Sequence, residues 1–218
     1  MVLTLTLIII IITVLVSISG FSNQKVIDDL IFYPPAVTHQ KQWYRFFSCG
    51  LIHADFGHLL FNMLSLYFFG PAVERAFMAF NPDLGKWLYL LLYISSLLAS
   101  LLPTYFKNKE NYHYRSLGAS GAVSAVIFAG LLLSPGSEVF IFFIPIPIPG
   151  FIFAPLYLLI SAWMDKKGTG NINHSAHIWG AIYGLAFTLL VGYLNGYQVI
   201  AATIQEIQYY MQVKGWIN

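Results

Sequence analysis

No charged residue lies between Leu117 and Ser137. A helix needs about 20 apolar residues to cross a hydrocarbon core of roughly 30 Å, so this stretch has to be read as a membrane segment. Comparable runs recur along the chain. The first, Val2 to Gly20, has no basic leading region and reads as a span, not as a cleaved signal peptide. The second runs from about Phe46 to Gly70, the third from Trp87 to about Tyr105, the fourth from Leu117 or Gly118 to Leu133. The sixth runs from about Ser175 to Gly196. In the fifth, Pro145, Pro147 and Pro149 remove backbone donors and exclude a helix. The expectation there is an extended, protein-covered approach, then a helix from about Phe151 to Met164, because bare irregular backbone is not tolerated in lipid.

The expected fold is an all-α membrane protein, a six-transmembrane-helix bundle forming one domain over residues 1–218, with both termini on one side. Residues 197–218 form a tail suited to an interfacial helix. Composition agrees: the chain is 58% hydrophobic and 9% charged, where soluble domains carry about 25% charged residues. A net charge of +2 gives no argument for nucleic acid. The single cysteine, Cys49, excludes an internal disulfide framework. Trp43, Tyr44, Trp87, Tyr105, Trp163 and Tyr193 lie near span ends, as an aromatic belt does. Loops one, three and five hold Lys25, Lys41, Arg45, Lys107, Lys109, Arg115, Lys166 and Lys167, against Arg75, Lys86 and Lys214 opposite. Taken alone, the positive-inside rule puts those three loops in the cytoplasm.

Polar groups at membrane depth are costly and therefore functional suspects. Ser120 lies in Gly118-Ala119-Ser120-Gly121 at the start of the fourth span. A helix beginning there offers unpaired amides and a positive dipole end to an oxyanion. The plainer reading is a small-residue packing face. His177 is the candidate base. Gly180 and Gly184 continue its face as a small-residue stripe that would press the sixth span on the fourth; the plainer reading is a histidine bonded for packing. His58 and Asn62 share one face of the second span, where both can donate to an oxyanion or simply join helices.

These residues resemble the rhomboid family of intramembrane serine proteases. The match rests on Gly118-Ala119-Ser120-Gly121, on His177 with Gly180 and Gly184, and on His58-Leu59-Leu60-Phe61-Asn62. It extends to Trp43-Tyr44-Arg45 in the first loop and Gly70-Pro71-Ala72-Val73-Glu74-Arg75 after the second span. The resemblance implies a rhomboid-like bundle with cytoplasmic termini, opposite to the charge bias, and an active site open to the outer side. It implies Ser120 as nucleophile and His177 as base, with no aspartate. The oxyanion would be held by the Ser120 amide, His58 and Asn62. Substrates would be membrane proteins, single-span or polytopic, cut in or near a transmembrane helix within the lipid bilayer. The implied gate is Phe151 to Trp163 and the implied cap Asp165 to Asn173. A bacterial cytoplasmic (inner) membrane is the expected location. No cofactor, metal or nucleic acid is expected. One departure stands out: some relatives carry an aromatic residue four after the nucleophile, stacked on the histidine, and here that position is Ser124. The histidine is then expected to be held by other packing, such as the glycine stripe.

Other readings compete. A zinc site from His53, His58, His174 and His177 would lack a general base, since no acidic residue lies from Gly168 to Gln205 and there is no H-E-x-x-H. The His58-x-x-x-Asn62 pattern also occurs in prenyl-protein endopeptidase relatives, but their paired glutamate motif is missing. An inactive rhomboid-like protein that binds transmembrane helices without cleaving would be expected to lack the serine or histidine. A transporter would need mid-membrane charges or repeated broken helices. Among other polar residues, Glu74 and Arg75 are expected to pair, and Arg45 to snorkel to the headgroups. His53 and Asp55 are expected to be solvated at the mouth of the second span. His39, His113 and His174 are expected in loops, and Ser116 is a poor nucleophile.

Overall fold

The computed structural model describes residues 4–141, 144–168 and 173–217. It is built from helices α1 (Leu5–Ser22), α2 (Gln24–Leu30), α3 (Pro34–Gln40), α4 (Arg45–Ser48), α5 (Phe56–Phe80), α6 (Gly85–Asn108), α7 (Ser120–Leu133), α8 (Gly150–Lys167), α9 (His174–Leu194) and α10 (Val199–Val213). Strands β1 (Glu138–Ile141) and β2 (Ile144–Pro149) precede α8. Among the described residues, α1, α5, α6 and α9 are long and apolar enough to cross a membrane. α7 is a shorter apolar helix, and α8 ends in Asp165, Lys166 and Lys167.

The second long helix begins at Phe56, ten residues after the position expected from hydropathy. Asp55 starts it by accepting a hydrogen bond from the His58 amide at 2.8 Å, a side-chain cap that satisfies an orphan donor. The preceding residues fold back as α4 and a 3-10 turn, Cys49–Leu51. The first loop is likewise structured, carrying α2 and α3. Arg45 does not snorkel. It is buried and donates from Nη1 to the carbonyls of Asp28 at 2.9 Å and Ile31 at 2.7 Å, tying the loop to itself. Tyr105, expected in the aromatic belt, is buried with Phe32, Val37, Phe46 and Cys49 beneath this loop.

Glu74 also departs from expectation. It makes no pair with Arg75; its carboxylate accepts from the amides of Leu5 at 2.9 Å and Thr6 at 3.2 Å, and from Thr6 Oγ1 at 2.9 Å. A buried carboxylate thus caps the first turn of α1, where the helix dipole favours negative charge. The contact is close because Gly70 leaves room for Thr6 and the Tyr89 hydroxyl: a Cβ there would lie 2.7 Å from Tyr89 Oη.

The alternating prolines before α8 do exclude a helix, but the segment pairs instead of running alone. β2 is antiparallel to β1, with Glu138 opposite Pro149, Val139 opposite Ile148 and Ile141 opposite Ile144. Backbone donors alternate sides along a strand, so Pro145, Pro147 and Pro149 all withdraw from one edge and leave the isoleucines between them for pairing. Protein cover is incomplete, since Phe140 and Ile146 are exposed.

α7 is the post around which the bundle is assembled. It packs on α5, α6, α8, α9 and α10, and nine of its 14 residues are buried. At 1.5 Å per residue it is about 21 Å long, short of a hydrocarbon core. The principal core joins its Ala122, Val123, Ala125, Val126 and Ala129 to Leu66 and Phe77 of α5 and Tyr89 and Leu92 of α6. Lipid supplies no hydrophobic drive between helices, so close backbone approach has to hold α9. A Cβ on Gly180 would overlap the Gly121 carbonyl, and one on Gly184 the Ala125 carbonyl. Both contacts advance by four residues, so one register brings both pairs together.

Candidate functional site

Three helices begin at the same end of the bundle. His58 lies in the first turn of α5, Ser120 is the first residue of α7, and His177 lies in the first turn of α9. Each start has a local cause. Asp55 caps α5, and Asn173 caps α9 by accepting from the Ala176 amide at 3.0 Å. Asn173 is itself fixed, donating to Thr104 Oγ1 at 3.2 Å and Tyr114 Oη at 3.1 Å. The start of α7 is different: no side chain caps it. The amides of Ser120 and Gly121 belong to the first turn, where no helical carbonyl is available to them. They are donors positioned for a negatively charged oxygen.

The turn into α7 is shaped by glycine and histidine. Gly118 has φ +115°, a conformation open to glycine, and a Cβ there would lie 2.6 Å from His58 Cε1. The His58 ring therefore lies against the backbone two residues before Ser120. Gly118 N–H donates to the Cys49 carbonyl at 2.9 Å, and Ala119 N–H donates to His53 Nε2 at 3.4 Å. His53, expected to be solvated, is buried. Its Nε2 accepts, so its Nδ1 carries the proton toward Ser17 Oγ at 2.9 Å. Ser17 in turn donates to the Leu51 carbonyl at 2.9 Å. Burial, aided by the neighbouring His58 imidazole and opposed by Asp55, pushes the His53 pKa from 6.5 down to about 3. A neutral imidazole thus links α1 to the residue preceding Ser120.

Asn62 is buried one turn beyond His58, and its amide nitrogen donates to the His58 carbonyl at 2.9 Å. That leaves the second N–H of the same group for another acceptor. The neighbours of Ser120 and His177 approach each other: the vacant side-chain position of Gly121 lies 3.5 Å from the Ala176 carbonyl. Among the described residues no hydrogen bond joins the Ser120 hydroxyl to His177. The His177 Nδ1 instead lies 3.2 Å from Tyr157 Oη on α8, and its ring is 5.9 Å from that of His174, edge on.

His174 opens α9 as a buried residue, not as part of a loop. The two imidazole nitrogens of His174 have no hydrogen-bond partner among the described residues. The described residues contain no cluster of three metal-ligating side chains. Of the expected cap, Asp165 to Asn173, residues 169–172 lie outside the described residues. Sequence reasoning passed over Tyr157 and undervalued His53; a tyrosine four residues before Ser161 on an otherwise apolar helix was the available signal for the first.

The Rhomboid domain profile matches residues 40–194. The chain is 31% identical over 157 residues to the rhomboid YdcA of Bacillus subtilis (strain 168), covering 68% of this chain and 67% of YdcA. It is 31% identical over 177 residues to Rhomboid protease GlpG of Enterobacter sp. (strain 638), covering 79% of this chain and 57% of GlpG. It is 30% identical over 144 residues to RHOMBOID-like protein 12, mitochondrial, of Arabidopsis thaliana, covering 59% of this chain and 40% of that protein. The last two are thus matched over roughly half their own length. With the family profile spanning the helices that carry Ser120, His58 and His177, the chain belongs to the rhomboid family.

Proposed function

We propose that this protein is an intramembrane serine protease that hydrolyses a peptide bond in or near a transmembrane helix of a membrane-protein substrate. One observation carries the reading: the starts of α5, α7 and α9 meet with His58, Ser120 and His177 at one end of the bundle, and α9 is locked to α7 by Gly180 against Gly121. Ser120 Oγ attacks the scissile carbonyl while His177 takes its proton, then returns it to the leaving amine. The tetrahedral oxyanion is received by the uncapped amide of Ser120, with His58 and Asn62 as side-chain donors. Water then hydrolyses the acyl-enzyme. Hydrogen bonds between catalytic groups are often long before substrate arrives and tighten in the complex, so the proposal does not require a Ser120–His177 bond at rest.

A helical substrate hides its carbonyls in its own hydrogen bonds, so it must unwind locally, and small or helix-breaking residues favour that. The six spans are completed by α7 and α8, and the catalytic end, bearing loops one, three and five, faces outward with both termini cytoplasmic. Protease accessibility of the tail near Lys214 in oriented vesicles reads this orientation; digestion from the outer side would reverse it.

The deciding experiment is cleavage of a reconstituted reporter transmembrane substrate by the wild type, Ser120→Ala and His177→Ala. Loss in both variants is expected. Equal cleavage by all three overturns the assignment, and tight binding of transmembrane helices without any cleavage by the wild type selects the inactive rhomboid-like reading.

A further inference from the structure

The candidate base is in contact with a side chain of α8, a helix that carries none of the residues assigned to the reaction. Tyr157 Oη lies 3.2 Å from His177 Nδ1. The tyrosine ring is itself braced, 5.7 Å from Phe128 of α7 and 5.7 Å from Phe153 one turn earlier on α8. Ser124 and Ser161 are the other polar groups near its hydroxyl; a serine oxygen that takes the phenolic proton leaves the phenol oxygen to accept from imidazole. Ser124 is four residues after Ser120, one turn up the same face of α7. Its small side chain leaves the space into which Tyr157 reaches.

We propose that Tyr157 is the positioning residue for His177, fixing its ring and its Nδ1–H tautomer so that Nε2 is the nitrogen left to take the Ser120 proton. The argument rests on the proteolytic reading above. An imidazole has two nitrogens, and a base must present the unprotonated one. A hydroxyl oxygen that accepts from Nδ1–H selects the tautomer that does so, as an orienting acceptor does for a catalytic histidine. Among the described residues no carboxylate performs this task for His177.

The orienting group also rides on the least anchored helix of the site. Of the 18 residues of α8 only Gly150 and Ser161 are buried, whereas α7 and α9 are locked backbone to backbone. Displacement of α8 therefore removes the Tyr157 oxygen from His177 while leaving Ser120 and His177 on their shared helix pair. Readiness of the base is coupled to the seating of α8.

The test uses the full chain in lipid or detergent, with wild type, Tyr157→Phe, Tyr157→Leu and Ser120→Ala. Tyr157→Phe keeps the ring and removes only the oxygen. It is expected to lower kcat about tenfold, the scale of one hydrogen bond, with KM unchanged, and to slow fluorophosphonate labelling of Ser120 equally. Tyr157→Leu should add little further loss. A Phe variant equal to wild type, or a loss confined to Leu, overturns the proposal by making the ring and not the oxygen the working part. Nitrogen-15 NMR of labelled histidine gives a readout without turnover: a single Nδ1–H tautomer of His177 in the wild type, mixed in Tyr157→Phe. Identical tautomer populations would also overturn it. A wild type no more active than Ser120→Ala shows the failure of the protease reading instead.

Discussion

Gly180 rests against the carbonyl of Gly121 with no space for a methyl group between them. The obstacle is backbone, which cannot rotate away as a long side chain could, so α9 would have to retreat from α7. Gly180→Ala is expected to destabilise the fold by about 1–3 kcal/mol, the usual range for overpacking, and to abolish cleavage more completely than its stability loss explains. Thermal melting and substrate cleavage measured on one preparation check this; unchanged activity would mean that the helix contact does not align the pair.

On the proposed protease reading, loss of Asn62 as an oxyanion donor should slow the chemical step without disturbing the fold. Asn62→Ala is expected to lower kcat by about 10²-fold or more, with little change in melting temperature. A variant as active as the wild type would leave Asn62 as the helix-bonding group its contact with the His58 carbonyl already makes it.

Glu74 caps α1 from the far end of α5. Glu74→Ala leaves the Leu5 and Thr6 amides unanswered in a buried place. A loss of about 1.5–3 kcal/mol is expected, the scale of hydrogen bonds to a charged group. Melting of the purified variant measures it, and a change under 0.5 kcal/mol, roughly surface behaviour, would contradict it.

His53 makes stability depend on pH. Its folded pKa of about 3 lies below the unfolded value of 6.5, so between them the unfolded chain holds more protons. Its contribution is complete above pH 6.5 and is lost as pH falls toward 3. The slope is at most about 1.4 kcal/mol per pH unit. Melting temperature should therefore drop from pH 7 to pH 4, and His53→Gln should show a shallower dependence. Equal slopes in both proteins would assign the titration to another group.

The helical bundle and the packing of α9 on α7 were legible in sequence because both are written locally. Ser120 sits among glycines, and His177 shares a face with Gly180 and Gly184, so the helix that meets α7 can be named before any coordinates. The start of α5 was misplaced because hydropathy does not see a cap: Phe46 to Ile52 is as apolar as a span, and Asp55 is what sets the boundary. The hairpin was half legible, since prolines declare what cannot form but not which short strand will pair. Glu74, Arg45, His53 and Tyr157 escaped because their partners lie far away in sequence, at Leu5, Ile31, Ala119 and His177. Contacts of that kind are set by how helices pack, and no spacing rule within one segment encodes them.

The helical part of α7 is shorter than a hydrocarbon core, and α5, α6 and α9, all longer, enclose most of it. Its height is accordingly fixed by protein neighbours and not by lipid. When the surrounding bilayer thickens or thins, the outer helices can tilt to match it while the inner post keeps its level. On the proposed protease reading, the depth of Ser120 is then a fixed ruler, and a foreign helix drawn alongside is measured against it: the bond offered for cutting would change with bilayer thickness even though α7 keeps its level.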